Sequence, residues 1–259
     1  MKKFSNIILI IALALVVLGN ILYWGPKLYK NIKADELSKD VGSHKYEIEG
    51  YIDSVEAVIQ AANVEIKIAD SFSCYIENMD LSKSDVYVSE GKLHINAQNR
   101  ENMEVLGWNI GNIADPGKKA KVTIYITKDV LRSFKLELGC GSIDAESIGA
   151  ENLVIQLGTG NLSVMNLNVA ETGALQLGTG SIKIYSLDAK NLTAKAGVGD
   201  VDIKLAADAA GYSVSSSIAT GRMEIFDTIK RGISQSVQIN GNSAKNLKIE
   251  SGLGNITVK

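Results

Sequence analysis

Between Phe134 and the C-terminus, apolar and polar residues alternate in short runs, each broken by a Gly-X-Gly-like turn. Phe134, Leu136 and Leu138 alternate with Lys135 and Glu137; past the turn, Ile143 and Ala145 alternate with Ser142 and Asp144. A period of two predicts strands with one apolar and one polar face. The phrase recurs six times: FKLELGCGSIDA, LVIQLGTGNLSV, GALQLGTGSIKI, LTAKAGVGDVDI, VSSSIATGRMEI and LKIESGLGNITV. The second turn glycines are Gly141, Gly160, Gly180, Gly199, Gly221 and Gly254, so the spacing stays near twenty until an insertion stretches the last interval. The first turn glycines are Gly139, Gly158, Gly178, Gly197 and Gly252. So short a period predicts an all-β, single-stranded β-solenoid, β-helix-like, of stacked coils with about 20 residues each.

The pattern also says why one unit would not fold alone. A single coil has exposed backbone edges and a thin core, and stacking at about 4.8 Å per coil satisfies the edges and merges the cores. The apolar ladder after the turn is Ile143, Leu162, Ile182, Val201, Met223 and Ile256. Glycine suits the turn because it takes positive φ without a Cβ clash. Between the glycines stand Cys140, Thr159, Thr179, Val198, Thr220 and Leu253, a β-branched and apolar row expected to fill a packed corner.

Upstream, VIQAANVEIKI from Val58 is a glycine-free copy of the repeat, expected as first coil or cap; SDVYVSEGKLHINAQ from Ser84 predicts a hairpin turning at Glu90-Gly91; KVTIYI from Lys121 is one more strand. Residues 98–119, with Trp108, three glycines and Pro116, form the least periodic loop. Residues 6–24 are almost unbroken apolar sequence behind Lys2 and Lys3, about 30 Å as a helix and long enough to span a bilayer. This predicts one transmembrane helix preceding the solenoid. The rival reading is a cleaved signal peptide, but Gly25-Pro26-Lys27 follows where a small-X-small cleavage site would stand. The expected organisation is a tail at 1–5, a signal anchor at 6–24, a stalk at 25–46 and the β-solenoid at 47–259. With a short basic tail inside, the C-terminal domain is extracytoplasmic, and the membrane is the first partner.

Composition narrows the chemistry. Twenty-four glycines against two prolines fit tight turns between strands that need their N–H donors. A net charge of −2 without a basic stripe argues against nucleic acid as a partner. His44 and His94 have no catalytic or metal-ligand spacing; Cys74 and Cys140 have no CxxC spacing, a disulfide between them stays open, and Cys140, on a row held by Thr or Val elsewhere, is expected as a small core residue. Asp144, Asp200, Asp202 and Glu224 face outward but are separated by coils carrying Asn161, Ser163, Ser181 and Lys183, so no paired-carboxylate site is expected. Each Gly-X-Gly leads into a strand, whereas a phosphate cradle needs a following helix N-terminus. Three matches to a glycosylation sequon, at Asn161, Asn191 and Asn255, arise from repeat composition. No cofactor, metal or catalytic residue is expected. Trp108 is the one recognition candidate, against a reading in which it caps the solenoid end.

The segment TIYITKDVLRSFKLELGCGSIDAESIGAENLVIQLGTGNLSVMNL resembles the bacterial "putative adhesin" family, a repeated β-strand domain also filed as a domain of unknown function. The resemblance runs from about Tyr46 to the end and includes the closing copies YSVSSSIATGRMEIF and LKIESGLGNITV. It implies the repeated β-fold and an amino-terminal membrane anchor; with no catalytic constellation in the residues, the expected function is a non-enzymatic module at the cell envelope, adhesin-like or scaffolding, with a cell-wall polymer or an envelope protein as partner. Two alternatives remain at this level: an envelope-stress accessory or sensor acting through a membrane partner, and a polysaccharide-acting β-helix enzyme. The missing carboxylate cluster weakens the second.

Overall fold

In the computed structural model the alternating runs become strands whose partners lie one coil away. It describes residues 41–81, 84–97, 104–105, 108–109, 119–206, 209–241 and 244–259. These are almost wholly β, with a 3₁₀ turn at Ala209–Gly211 and no α-helix among them. The strands are β1 (Val41–Glu47), β2 (Ser54–Ala61), β3 (Asn63–Ile68), β4 (Ser73–Asp80), β5 (Asp85–Ser89), β6 (Lys92–Ala97), β7 (Glu104–Val105), β8 (Trp108–Asn109), β9 (Lys121–Ile126), β10 (Leu131–Ala189), β11 (Asn191–Val198), β12 (Val201–Leu205), β13 (Tyr212–Ile225), β14 (Thr228–Ile239) and β15 (Lys245–Val258). The tail, the anchor at 6–24 and the stalk up to residue 40 lie outside the described residues. Strand β1 begins inside the stretch read as stalk, and the compact unit is Gly42–Lys259.

The coils stack as a β-solenoid-like repeat. Gly173 stands opposite Leu192 and Ile182 opposite Val201, all in parallel register. The inward ladder is as the alternation predicts: Ile143, Leu162, Ile182, Val201, Met223 and Ile256 are all buried. Before the turn, Phe134, Leu136, Leu153, Ile155, Leu175, Leu192, Ala194, Leu247 and Ile249 join the same continuous core.

Spatial order departs from chain order at both ends. The glycine-free copy, β2 with β3, is neither the first coil nor a cap in the stack: it lies between β10 and a coil made of β6 and β9. At the other end β15 pairs with β11 and β12 on one side and with β13 on the other, so the last copy in the chain is inserted beneath the copy before it. The fully buried Tyr212 fixes this arrangement: its hydroxyl accepts from the Ala189 amide at 3.0 Å and lies 3.4 Å from the Leu187 carbonyl.

Antiparallel strands flank both terminal coils. Strand β5 runs against β6 through Glu90 and Gly91, whose φ values of 50° and 74° make the primed turn that favours hairpins. Strand β4 runs against β9, and β14 against β13 from Val214 to Ile225. The exposed β14 carries Lys230 and Arg231, charges that discourage strand addition at an edge.

The corners explain both glycines. Gly141, Gly160, Gly180, Gly199, Gly221 and Gly254 have φ between 134° and 149°. A Cβ on Gly160 would lie 1.6 Å from the Gly141 carbonyl oxygen, and one on Gly180 1.7 Å from that of Gly160. The first glycines meet only the second constraint: a Cβ on Gly158 would fall 2.4 Å from the Gly139 oxygen, and Gly139, Gly178, Gly197 and Gly252 repeat this at 2.3–2.6 Å. The glycine-free copy needs neither residue. Gly139 and Gly141 of β10 stack on Gln60 and Ala62, and on the other side the described paired strands stop at Ala97 and resume at Lys121.

Candidate binding face

Outward positions on successive coils form rows parallel to the stack axis, and their chemistry differs row by row. One row ties coils together through amides and hydroxyls. The Thr172 hydroxyl donates to Asn152 Oδ1 (3.0 Å), Asn191 Nδ2 to the Glu171 carbonyl (3.0 Å), and Asn246 Nδ2 to Asn191 Oδ1 (3.0 Å). A second row lies just past the glycines. Ser142 donates to Asn63 Oδ1, Ser181 Oγ to Asn161 Oδ1 at 2.8 Å, and Asn255 Nδ2 to Asp200 Oδ1 at 2.9 Å. All three sequon asparagines therefore hold the stack, and a glycan on Asn191 or Asn255 would displace a ladder bond. The recurrence of asparagine was visible in the sequence; its inter-coil role was not, because a twenty-residue hydrogen bond leaves no local pattern.

A third row lies before the turn. Asn96, Val58, Glu137, Gln156, Gln176 and Lys195 border an open groove of about 980 Å³. Register runs Asn96 to Val58 to Glu137 at one end and Gln176 to Lys195 to Glu250 at the other. The first glycines Gly139, Gly158 and Gly178 line it too, contributing no side chains to fill the space beside the amides. Its charges are internally matched. Lys135 Nζ bridges Glu137 (2.8 Å) and Glu56 (3.1 Å), and Lys195 Nζ lies 2.8 Å from Glu250. Hydrogen bonds from Lys195 and then Lys248 hold the Glu250 carboxyl below the usual range, and the bond from Lys135 does the same for Glu56.

The residues between the glycines are not a packed corner. Cys140, Thr159, Thr179 and Thr220 are exposed, Val198 is 46 % exposed and Leu253 49 %, forming an outer ridge. The chain bends at the glycines, so strand parity does not carry across them. This also corrects Cys140, which is exposed, whereas Cys74 is buried; both thiols are free. Burial pushes the Cys74 thiol up to about 12. Native protein is therefore expected to react with a thiol reagent at Cys140 alone and to release the second thiol only in guanidinium; two fast-reacting thiols in the native state would contradict the buried placement.

The remaining candidates can be placed. His94 stacks on Tyr87 at 4.8 Å with Nδ1 3.8 Å from Glu56, and His44 packs edge-on against Tyr46. Asp144 stands opposite Glu65, a juxtaposition not anticipated from spacing. Glu65 is held by Lys121 and Lys67 at 2.8 Å each; hydrogen bonds from these lysines, Lys121 first, lower its pKa, which suits an ion pair and not a proton donor. Asp200 is engaged by Asn255, Glu224 by Arg222 at 2.6 Å, and Asp202 faces Lys183 and Thr257 across its neighbours. Among the described residues, no three His, Cys, Asp or Glu side chains gather as a metal site. Trp108 sits on the short antiparallel pair β7–β8, but its side chain lies outside what is described. No described helix is long and apolar enough to cross a membrane, and residues 6–24 are not among those described.

A stack of in-register coils with glycine corners and outward polar rows defines the chain as a β-solenoid-like repeat protein. It belongs to the Toastrack DUF4097 family, whose model matches residues 52–204. Among solved structures, a "putative cell adhesion protein" from Clostridium sporogenes is similar at 16 % identity and TM-score 0.50, covering 85 % of this chain and 99 % of the other. A "putative adhesin" from Bacteroides fragilis matches at 16 % identity and TM-score 0.40, over 86 % and 98 % of the two chains. A "putative lipid binding protein" from Parabacteroides distasonis matches at 13 % identity and TM-score 0.33, over 85 % and 95 %. No curated protein matches the chain.

Proposed function

We propose that this protein is a non-enzymatic binding module of the cell envelope, tethered by residues 6–24 as a single-pass anchor, with its β-solenoid of roughly twenty-residue coils outside the membrane and a cell-wall polymer as partner. The observation that carries the reading is the groove of about 980 Å³ along successive coils. Its rows are fixed by parallel pairing and by a buried core, so the surface is formed before any ligand arrives, which lowers the ordering cost of binding. The ionic groups beside it are already paired, and the acidic residues elsewhere are engaged or spread over separate coils, an arrangement suited to holding a polymer and unsuited to cleaving one. The similarity to a "putative cell adhesion protein" agrees with a binding role. The test uses the full chain in mild detergent, mixed with purified cell wall and sedimented. Retention with the wall is the expected result; a chain left in the supernatant overturns the reading.

A further inference from the structure

The reading above leaves the ligand chemistry open, and resting on it we propose that the groove takes an uncharged, hydroxyl-rich chain, a neutral glycan strand lying along the stack axis, held by the carboxamides of Gln156 and Gln176. The contrast among the three polar rows motivates this. In the row of Asn152, Thr172, Asn191 and Asn246, and in the row of Asn63, Ser142, Asn161, Ser181, Asp200 and Asn255, side chains bond across coils and hold the stack. Gln156 and Gln176 occupy equivalent outward positions on neighbouring coils, both exposed, and both border the groove. No hydrogen bond ties either amide to another described residue. They are the central rungs, and they point at solvent with their full donor and acceptor capacity.

The chemistry of those rungs selects the ligand. A carboxamide offers two N–H donors and a carbonyl acceptor, so two of them about 4.8 Å apart present both kinds of group in repeating order. Hydroxyls, which also donate and accept, match that set; an anion needs donors alone. The flanking charges reinforce the choice. Glu137 is bound by Lys135 and Lys195 by Glu250, both at 2.8 Å, so neither end of the groove offers an uncompensated charge. Glycine backbone supplies a low floor for the carbon faces of sugar rings, and Val58, 43 % exposed, adds an apolar rung toward one end. A peptide strand fits less well. It would bind by adding to an open sheet edge, whereas the groove runs over the face of strands already paired on both sides. Its six rungs extend on the order of 24 Å, so the footprint is a polymer and not a single sugar.

The test titrates the full chain in mild detergent with chitohexaose, cellohexaose and maltohexaose, with polygalacturonate and an unstructured peptide as controls. Binding of at least one neutral oligomer is expected, with polygalacturonate and peptide weaker. Loss of two hydrogen-bonding side chains in Q156A/Q176A is expected to weaken it about tenfold or more with an unchanged melting temperature, because both residues are exposed. Q156E/Q176E keeps side-chain size while removing the donors and is expected to lose binding equally, so a fold defect in one pair does not excuse the other. T159A, on the outer ridge, is expected to bind as the parent does. Binding of none of the neutral oligomers, a preference for polygalacturonate or peptide, or undiminished binding in the glutamine variants overturns the proposal. Wall retention that persists in Q156A/Q176A sinks the groove assignment and leaves the envelope-binding reading standing; loss of wall retention by the parent chain sinks that reading itself.

Discussion

Replacing Gly160 by alanine is expected to be among the most damaging single substitutions in this chain, at about 4 kcal/mol or more. Two costs coincide there. The backbone holds φ at 140°, and the new Cβ would stand 1.6 Å from the Gly141 carbonyl oxygen and 2.7 Å from its carbon. Neither atom is on a flexible side chain, so the coils themselves would have to separate. Two simpler substitutions divide the costs. Gly50 has φ of 106° with nothing within 4 Å of a built Cβ, so Gly50→Ala measures conformational strain alone, about 1–2 kcal/mol. Gly158 has no positive φ but a backbone oxygen at 2.4 Å, so Gly158→Ala measures close approach alone, about 1–3 kcal/mol. Urea unfolding of the three variants should rank Gly160→Ala last by a clear margin. If Gly160→Ala unfolds within about 1 kcal/mol of the parent, the tight stacking of glycine corners is wrong.

The second large effect concerns the C-terminal strand. In chain order β15 is the last copy, and its removal would seem to shorten one end. In space it lies between β11–β12 and β13, so deleting 245–259 removes a coil from within the stack. Leu247, Ile249, Ile256 and Val258 are buried there, and at about 1.5–3 kcal/mol each their loss amounts to about 6–12 kcal/mol. That is comparable with the whole stability of an ordinary domain, about 5–15 kcal/mol. The truncated chain is expected to lose protease resistance across 191–241, together with the β13–β14 hairpin. A truncated protein that keeps residues 212–241 protected, with only a small fall in melting temperature, would show β13 repacked directly on β11 and β12, and so would refute the inserted order.

These two cases also mark how far the sequence could be read. Alternation in FKLELGCGSIDA and its relatives was enough to place the inward residues, because period two ties burial to position within a strand. The Glu90-Gly91 hairpin was equally plain, since a two-residue turn with positive φ has a local signature. The order of the last coils was not plain: Val201, Ile256 and Met223 are interchangeable apolar rungs, and nothing in a rung says which neighbour it will meet. The ridge from Cys140 to Leu253 was misplaced for a different reason, since the glycine bend resets which side of the chain faces inward. Of the candidate site, the sequence pointed to outward strand positions in general. It could not separate Gln156 and Gln176 from the asparagine rows, because the difference lies in hydrogen bonds made to residues about twenty positions away.

The inserted ends impose a rule on how such a molecule can change length. Where chain order and stacking order coincide, from residue 131 to 205, a duplicated coil would find the same neighbour above and below that its parent had. Near either terminus it would separate partners that must meet across a skipped coil, such as Tyr212 and the Leu187–Ala189 link. The protein is thus a ruler adjustable only in its middle, in whole rungs. Four of the groove's six rungs, Glu137, Gln156, Gln176 and Lys195, lie on that same adjustable stretch, so the number of ligand units it spans would rise in step with the number of coils.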